Sequence, residues 1–208
     1  MPSEGPTSAG TYTNIEDGWP DWNTAGSPIT NSIGFSDKSD ILRVTNFGFS
    51  VPALATIVGI EVSIDRDATG SGGCLCYDFD VHLRKNDGTT GSNYAETLID
   101  WENNPGVQAY GGASDLWGLS LSDAEVNNTG FGVEIQAQGS GAPTTFTLPE
   151  VTSVTMTVYY SDSMGDFIAA MLSSILSGIA AAQQASQQVT SLRGSQSKTV
   201  QVVPYRHG

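Results

Sequence analysis

The chain has 208 residues, of which 38% are hydrophobic, 14% are charged and 24 are glycine. This length suits one large domain, or one domain with an appendage, and the low charge with many turn-forming residues argues against a helical enzyme, a coiled-coil rod or intrinsic disorder. The 22 acidic and 8 basic residues give a formal net charge of −14, and because such a surface repels phosphate backbones we expect no binding to nucleic acid.

The first 35 residues are rich in Pro, Gly, Asn and Ser and show no periodicity. This composition predicts an irregular N-terminal segment, residues 1–35, that packs on a core formed by the rest of the chain. Its beginning has neither a basic region nor an apolar stretch, so we expect no signal peptide and synthesis in the cytoplasm. Trp19 and Trp22 lie close together in this segment. Packing at a core edge is the simpler interpretation, and an aromatic surface for sugars is the alternative.

Alternation of apolar and polar residues then predicts strands separated by Gly, Pro, Asn and Asp turns. The clearest runs are 41–49, 55–65, 74–84, 131–138 and 151–160. Weaker extended segments are predicted at 95–99 and 116–121. Seven or eight such strands within residues 36–161 predict a mainly β domain, an antiparallel β-sandwich or jelly roll.

The predicted strand 74–84 has a polar face formed by Cys74, Cys76, Asp78, Asp80 and His82. Residues two apart on a strand project in parallel and do not converge, so we expect no metal site and interpret this face as a polar stripe exposed to solvent. The same spacing is too wide for a disulfide bond, which predicts that both cysteines are reduced thiols.

The sequence shows no catalytic constellation. There is no Gly-x-Ser-x-Gly motif, the second histidine, His207, lies far along the chain, and no spacing singles out a pair of carboxylates. We therefore expect no enzyme activity and no cofactor. A hydrolase that uses a carboxylate pair without a sequence signature is the third alternative.

Beyond residue 161 the periodicity changes to steps of three and four residues, which predicts a C-terminal helix over 162–193. An extended arm at 194–208 follows, and residues 167–208 contain no acidic side chain. A helix this apolar needs a partner, and we expect copies of itself, with a homotrimer favoured and packing on its own sheet as the alternative. A membrane partner is disfavoured, because only the first half of the stretch is strongly apolar. The residues expected to mediate oligomerisation are Ile168, Leu172, Ile175, Ile179 and Ala182.

Three stretches of the sequence together resemble a known family. They are residues 41–52 running into 55–62, residues 110–118 (YGGASDLWG), and residues 131–135 with the later strand 151–160. Over about residues 38–160 they resemble the β-sandwich module of virion proteins of tailed bacteriophages. The resemblance implies a non-enzymatic particle component, such as a capsid decoration protein, a head fibre, a tail fibre or a tail adaptor.

These observations together predict a bacteriophage virion structural protein that is made in the host cytoplasm and located in the virion. We expect it to assemble with capsid, portal or tail proteins through its C-terminal helix and arm. The alternative is a carbohydrate-binding β-sandwich module that recognises glycans of the host surface. The aromatic residues that could face such a glycan are Trp19, Trp22, Trp101, Tyr110 and Trp117.

Overall fold

A computed structural model of the chain describes residues 2–70, 75–102, 105–141, 146–161 and 163–196. The chain divides into two compact units, Met1–Ser163 and Met164–Gly208. The described part of the first unit contains ten strands and a short helix, and the second unit contains one long helix. The elements are β1 (Ser3–Ser8), β2 (Thr11–Ile15), β3 (Ile29–Thr30), β4 (Ile33–Gly34), β5 (Ile41–Thr45), β6 (Thr56–Gly70), β7 (Leu75–Arg84), β8 (Gly106–Gly112), α1 (Asp123–Val126), β9 (Gly132–Ser140), β10 (Phe146–Ser161) and α2 (Ser163–Gln196).

The strands of the first unit form two antiparallel sheets. The first sheet has the order β1-β10-β6-β8, with the short strands β3 and β4 also paired to β10. The second sheet has the order β2-β5-β9-β7. This arrangement, followed by a C-terminal helix, confirms the predicted mainly β fold. The two sheets enclose one apolar core, because each strand turns alternate side chains inward.

The inward-facing apolar residues of β5, β6, β9 and β10 follow the alternation seen in the sequence. β6 and β10 pair over almost their whole length, and their buried side chains cover those of β5 and β9 in the second sheet. Residues with no exposed surface include Leu42, Val44, Ile60, Val62, Ile64, Val133, Ile135, Val154, Met156 and Val158. Burying side chains of this size stabilises the fold by roughly 1.5–3 kcal/mol each.

The prediction of an irregular N-terminal segment over residues 1–35 is wrong, because this segment contributes strands to both sheets. β1 pairs with β10, and β2 pairs with β5 in a continuous register from Thr11 opposite Thr45 to Ile15 opposite Ile41. β1 and β2 are edge strands rich in Ser and Thr, so they carry little hydrophobic alternation of their own. Their backbone pairing comes from the neighbouring strand, a long-range effect that a local pattern does not reveal.

Four further segments differ from the sequence prediction. The predicted extended segments 95–99 and 116–121 form no strand. Conversely, β8 is a strand that the sequence does not predict, because glycines flank its short alternating stretch. The helix α1 begins at a capping box, in which the Ser122 hydroxyl and the Glu125 carboxylate each accept from the other residue's backbone N–H. Such a four-residue helix is too short to give a periodic signal.

β7 changes the direction of its side chains halfway along. Asp78 pairs with Ala137 and Asp80 pairs with Gln136, so Phe79 is an extra residue, a β-bulge. Before the bulge Cys76 and Asp78 point into the core, and after it Val81 and Leu83 do so. The predicted polar stripe therefore does not exist as one face, because a slip of one residue exchanges the two faces of a strand. Cys74 lies outside the described residues.

The helix α2 runs for 34 residues, three residues beyond the predicted end at 193. At 1.5 Å per residue its length is about 50 Å. The predicted extended arm over residues 194–208 begins as helix up to Gln196, and residues 197–208 lie outside the described part. None of the described helices combines the length and the hydropathy that a membrane span requires.

We expect residues 1–162 to fold cooperatively without α2, because the described core of the two sheets lies entirely within Met1–Ser163. Far-UV circular dichroism of this truncated chain should show a β spectrum, and thermal unfolding should show a single transition. The full-length chain is the control. A spectrum of an unfolded chain would show that α2 supplies part of the core, and the division into two units would then be wrong.

Candidate functional site

Four of the five aromatic residues that the alternative, carbohydrate-binding interpretation assigns to a glycan surface belong to the core. Trp22, Trp101, Tyr110 and Trp117 are buried, and that part of the prediction is wrong. These side chains can be buried because the indole N–H or the hydroxyl group of each one donates a hydrogen bond inside the protein. The Nε1 of Trp22 donates to the backbone carbonyl of Asp40 at 2.7 Å, and that of Trp117 donates to the carbonyl of Ile60 at 3.0 Å.

Trp101 and Tyr110 share one buried carboxylate, that of Asp78. Trp101 Nε1 donates to Asp78 Oδ1 and the Tyr110 hydroxyl donates to Oδ2, both at 2.8 Å, and the backbone N–H of Glu96 also donates to Oδ2 at 2.9 Å. The guanidinium of Arg66, on β6, lies 3.4 Å from Asp78 Oδ1 and 5.1 Å from the centre of the Trp101 ring. Burial and the nearby Asp78 carboxylate raise the pKa of Tyr110 above its ordinary value.

This group, which we call the buried ion pair, is a structural element of the core. Arg66 and Asp78 are each 1% exposed, so neither meets a ligand in solution. Because β6 belongs to the first sheet and β7 to the second, the ion pair connects the two sheets. Three hydrogen bonds satisfy the Asp78 carboxylate, whereas the Arg66 nitrogens make no hydrogen bond among the described residues and are compensated by the opposite charge of Asp78 alone.

A second polar cluster covers the outer face of the second sheet around Glu134. This carboxylate lies 2.7 Å from Arg43 Nε, 3.1 Å from Arg84 Nε and 3.0 Å from His82 Nε2, and His82 Nδ1 lies 3.0 Å from Asp80 Oδ1. Burial alone would raise the pKa of Glu134, but the hydrogen bonds with His82 and Arg43 lower it. Burial likewise opposes the charged form of His82, yet Asp80 and Glu134 raise its pKa to about 9.

The raised pKa keeps His82 protonated at neutral pH. A protonated imidazole has no lone pair with which to accept a proton, so His82 in this setting is not a general base. The polar stripe of Cys, Asp and His side chains, from which we expected no metal site, is also divided by the bulge in β7, with Cys76 and Asp78 inside and Asp80 and His82 outside. Across the residues that the structure describes, no group of three or more His, Cys, Asp or Glu side chains could hold a metal ion.

The His82 cluster predicts a pH dependence of stability. The pKa of His82 is raised from 6.5 to about 9 in the folded chain, so its contribution is fully present below pH 6.5 and is lost as pH rises through 9. Over this window we expect the free energy of unfolding to fall with a slope of up to about 1.4 kcal/mol per pH unit. Urea unfolding of the wild-type chain and of His82→Gln between pH 6 and pH 9.5 measures the difference. Equal slopes for the two proteins would contradict the ion pairing of His82.

The predicted oligomerisation residues lie on one face of α2, which we call the seam. Ile168, Leu172, Ile175 and Ile179 follow one another at steps of four, three and four residues, and each is 50–54% exposed. Ala182 continues the spacing and is exposed as well. Phe167, Met171 and Leu176 are other exposed apolar side chains of the same turns. In the single chain, this helix therefore exposes a large apolar surface to solvent.

The fold and these clusters define a β-sandwich protein with an apolar C-terminal helix. No protein-family model and no curated protein sequence matches the chain. Similar solved structures include Xylanase10C from Cellvibrio japonicus in complex with xylopentaose, at 11% identity and a TM-score of 0.35 over 76% of this chain. The xylan-binding module CBM15 is similar at 11% identity and a TM-score of 0.32, over 71% of this chain and 95% of its own. This chain spans 29% of the length of the xylanase chain, and a likeness at this level does not bear on function.

Proposed function

We propose that the protein is a non-enzymatic structural subunit of a bacteriophage virion, which self-associates through α2 and carries its β-sandwich as a separate domain. The observation that carries this proposal is the exposed seam of Ile168, Leu172, Ile175 and Ile179 on a helix outside the sandwich unit. The virion context is supported by the sequence resemblance over about residues 38–160.

The energetics of the seam favour self-association. Each of its four side chains exposes about half of its surface, and complete burial of such a side chain stabilises by roughly 1.5–3 kcal/mol. Burying the exposed half of all four side chains therefore gains roughly 3–6 kcal/mol per chain, which is of the same order as the association cost of about 4–15 kcal/mol. The helix also has no acidic side chain after Asp166, so parallel copies do not repel one another over the seam.

The residue types of the seam favour a trimer over a dimer. The 4-3-4 spacing places Leu172 and Ile179 at heptad position a and Ile168 and Ile175 at position d. Leu at a with Ile at d shifts the preference of parallel coiled coils from two strands to three or four. Ala182, the next d position, is small and allows the helices to approach closely in the later turns.

Electron microscopy of phage particles tests the virion role. Particles that incorporate a copy of the chain with a gold-binding tag should carry label at a fixed position on the head or tail. The matched control carries the same tag on residues 1–162 only, which lack the seam and should fail to incorporate. Particles that show no label after purification, while the tagged full chain is soluble and abundant in the same lysate, would contradict the proposal.

A further inference from the structure

We propose that the sandwich carries a second functional surface, a binding site for a neutral glycan formed by Trp19, Asp17 and Lys38 beside Phe79. Of the four tryptophans, all of which the structure describes, only Trp19 is exposed, with 38% of its surface accessible. An exposed indole face is the usual stacking partner of a sugar ring, because it offers apolar area with little loss of conformational freedom.

Lys38 connects Trp19 to a second aromatic ring. Its Nζ atom lies 3.6 Å from the centre of the Phe79 ring and 5.9 Å from the centre of the Trp19 ring. The short distance to Phe79 restrains the ammonium through a cation–π interaction. An N–H donor is therefore held beside the exposed Trp19, where it can bond to a hydroxyl of a stacked sugar.

The buried carboxylate of Asp40 holds the loop that carries Trp19 through hydrogen bonds to the loop backbone. Asp40 Oδ1 accepts from the backbone N–H of Trp19 at 3.0 Å and from that of Asp17 at 2.9 Å, and Oδ2 accepts from the Asn14 amide at 3.0 Å. Burial alone would raise the pKa of Asp40, but these donors lower it. The loop is thus ordered before a ligand arrives, which reduces the entropy lost on binding.

The exposed side chain of Asp17 supplies an acceptor in the same loop, two residues before Trp19. Its Oδ2 atom receives only a long contact, 3.4 Å, from the Gln136 amide. A carboxylate acceptor in the Trp19 loop and an ammonium donor near the ring suit the hydroxyl groups of a pyranose, which both donate and accept.

Local charge selects a neutral glycan over an acidic one. Glu16, Asp17, Asp21 and Asp37 lie within the two segments that hold Trp19 and Lys38, and Lys38 is their one basic residue. The surface therefore repels uronic acids, sulfated sugars and sialic acids, in keeping with the net charge of −14. A neutral polysaccharide meets no such repulsion.

Affinity electrophoresis of the full chain in gels that contain soluble polysaccharides tests the proposal. The probes are a glucan, a xylan, a mannan and a galactan as neutral polymers, and polygalacturonate as the acidic polymer. We expect at least one neutral polymer to retard the chain and polygalacturonate not to do so. Trp19→Ala should weaken the retardation roughly tenfold or more, as for a central aromatic anchor, and Trp19→Tyr should retain most of it.

Phe146→Ala is the matched control, because Phe146 is an exposed aromatic side chain of the other sheet. It should leave the retardation unchanged, and thermal unfolding should show that all three variants remain folded. Absence of retardation by every neutral polymer, equal loss in Trp19→Ala and Phe146→Ala, or preference for polygalacturonate would each overturn the proposal. None of these outcomes depends on the oligomeric state, so the glycan site and the assembly through α2 are tested separately.

Discussion

Replacing Leu172 and Ile175 by aspartate is expected to convert the proposed trimer into a monomer while the sandwich stays folded. These residues occupy adjacent a and d positions of the seam, and each exposes just over half of its surface in the single chain. Two aspartates per helix place six like charges at the centre of a three-helix interface, where burial of unpaired charge is costly. Multi-angle light scattering after size-exclusion chromatography measures the mass of both proteins at micromolar concentration.

Ser173→Asp with Ser177→Asp is the matched control for this experiment. Both serines lie in the same two turns, at heptad positions b and f, on the side of α2 away from the seam. The control adds the same charge to the same segment, so it should remain oligomeric. If the wild-type chain is already monomeric at micromolar concentration, self-association through the seam is wrong.

Replacing Asp78 by alanine is expected to reduce the stability of the sandwich by about 3–5 kcal/mol, the usual effect of removing one partner of a buried ion pair. The substitution leaves the Arg66 guanidinium, which is 1% exposed, without the carboxylate 3.4 Å away. It also removes the acceptor of Trp101 Nε1 and of the Tyr110 hydroxyl. Urea unfolding followed by circular dichroism measures the loss.

Two further variants separate the charge effect from the loss of packing. Asp78→Ala combined with Arg66→Met removes both charges and should recover part of the lost stability. Asp65→Ala changes a carboxylate next to Arg66 on the outer face of β6, and we expect a change within about 0.5 kcal/mol. A loss for Asp78→Ala as small as that for Asp65→Ala would show that the ion pair does not hold the two sheets together.

The strands that could be predicted from sequence are those whose own residues carry the pattern. β5, β6, β9 and β10 each place apolar side chains alternately on one core face, so a local reading was sufficient. β1 and β2 could not be found in this way, since their strand conformation depends on pairing with β10 and β5. Burial requires apolar residues at alternate positions of a strand, which a local sequence pattern shows. Backbone pairing at a sheet edge requires no particular residue type, so it leaves no such pattern.

The bulge at Phe79 is the reason that simple alternation assigns the polar face of β7 wrongly. One extra residue moves Asp78 to the inside and leaves Asp80 and His82 on the outside, and nothing in an alternating sequence marks where alternation is interrupted. A signal for the buried ion pair did exist. Arg66 occupies an inward position in β6 after Ile60, Val62 and Ile64, and a charge in such a series requires a buried counter-charge.

The aromatic residues show a similar limit for the candidate site. Tryptophan suits both a core and a sugar-binding surface, so residue type does not distinguish buried Trp22 from exposed Trp19 only three positions earlier. The difference arises from Asp40, whose side chain binds the backbone of the loop and whose carbonyl accepts from the Trp22 ring. These contacts join residues about twenty positions apart and appear only in the folded chain.

The pairing of β1 with β10 has a practical consequence for adding foreign sequences to this protein. Ser3 lies opposite Tyr159, and the backbone N–H of Tyr160 donates to the carbonyl of Pro2, so the chain enters and leaves the sandwich at the same end. Gly70, the last residue of β6, lies at the other end, because it pairs with Thr147 at the start of β10. With about 3.3 Å per residue along the 16 residues of β10, the two ends are roughly 50 Å apart. A peptide epitope inserted after Gly70 would thus be presented far from Ser161, the last residue of β10. A tag on the N-terminus, in contrast, would lie close to Ser161.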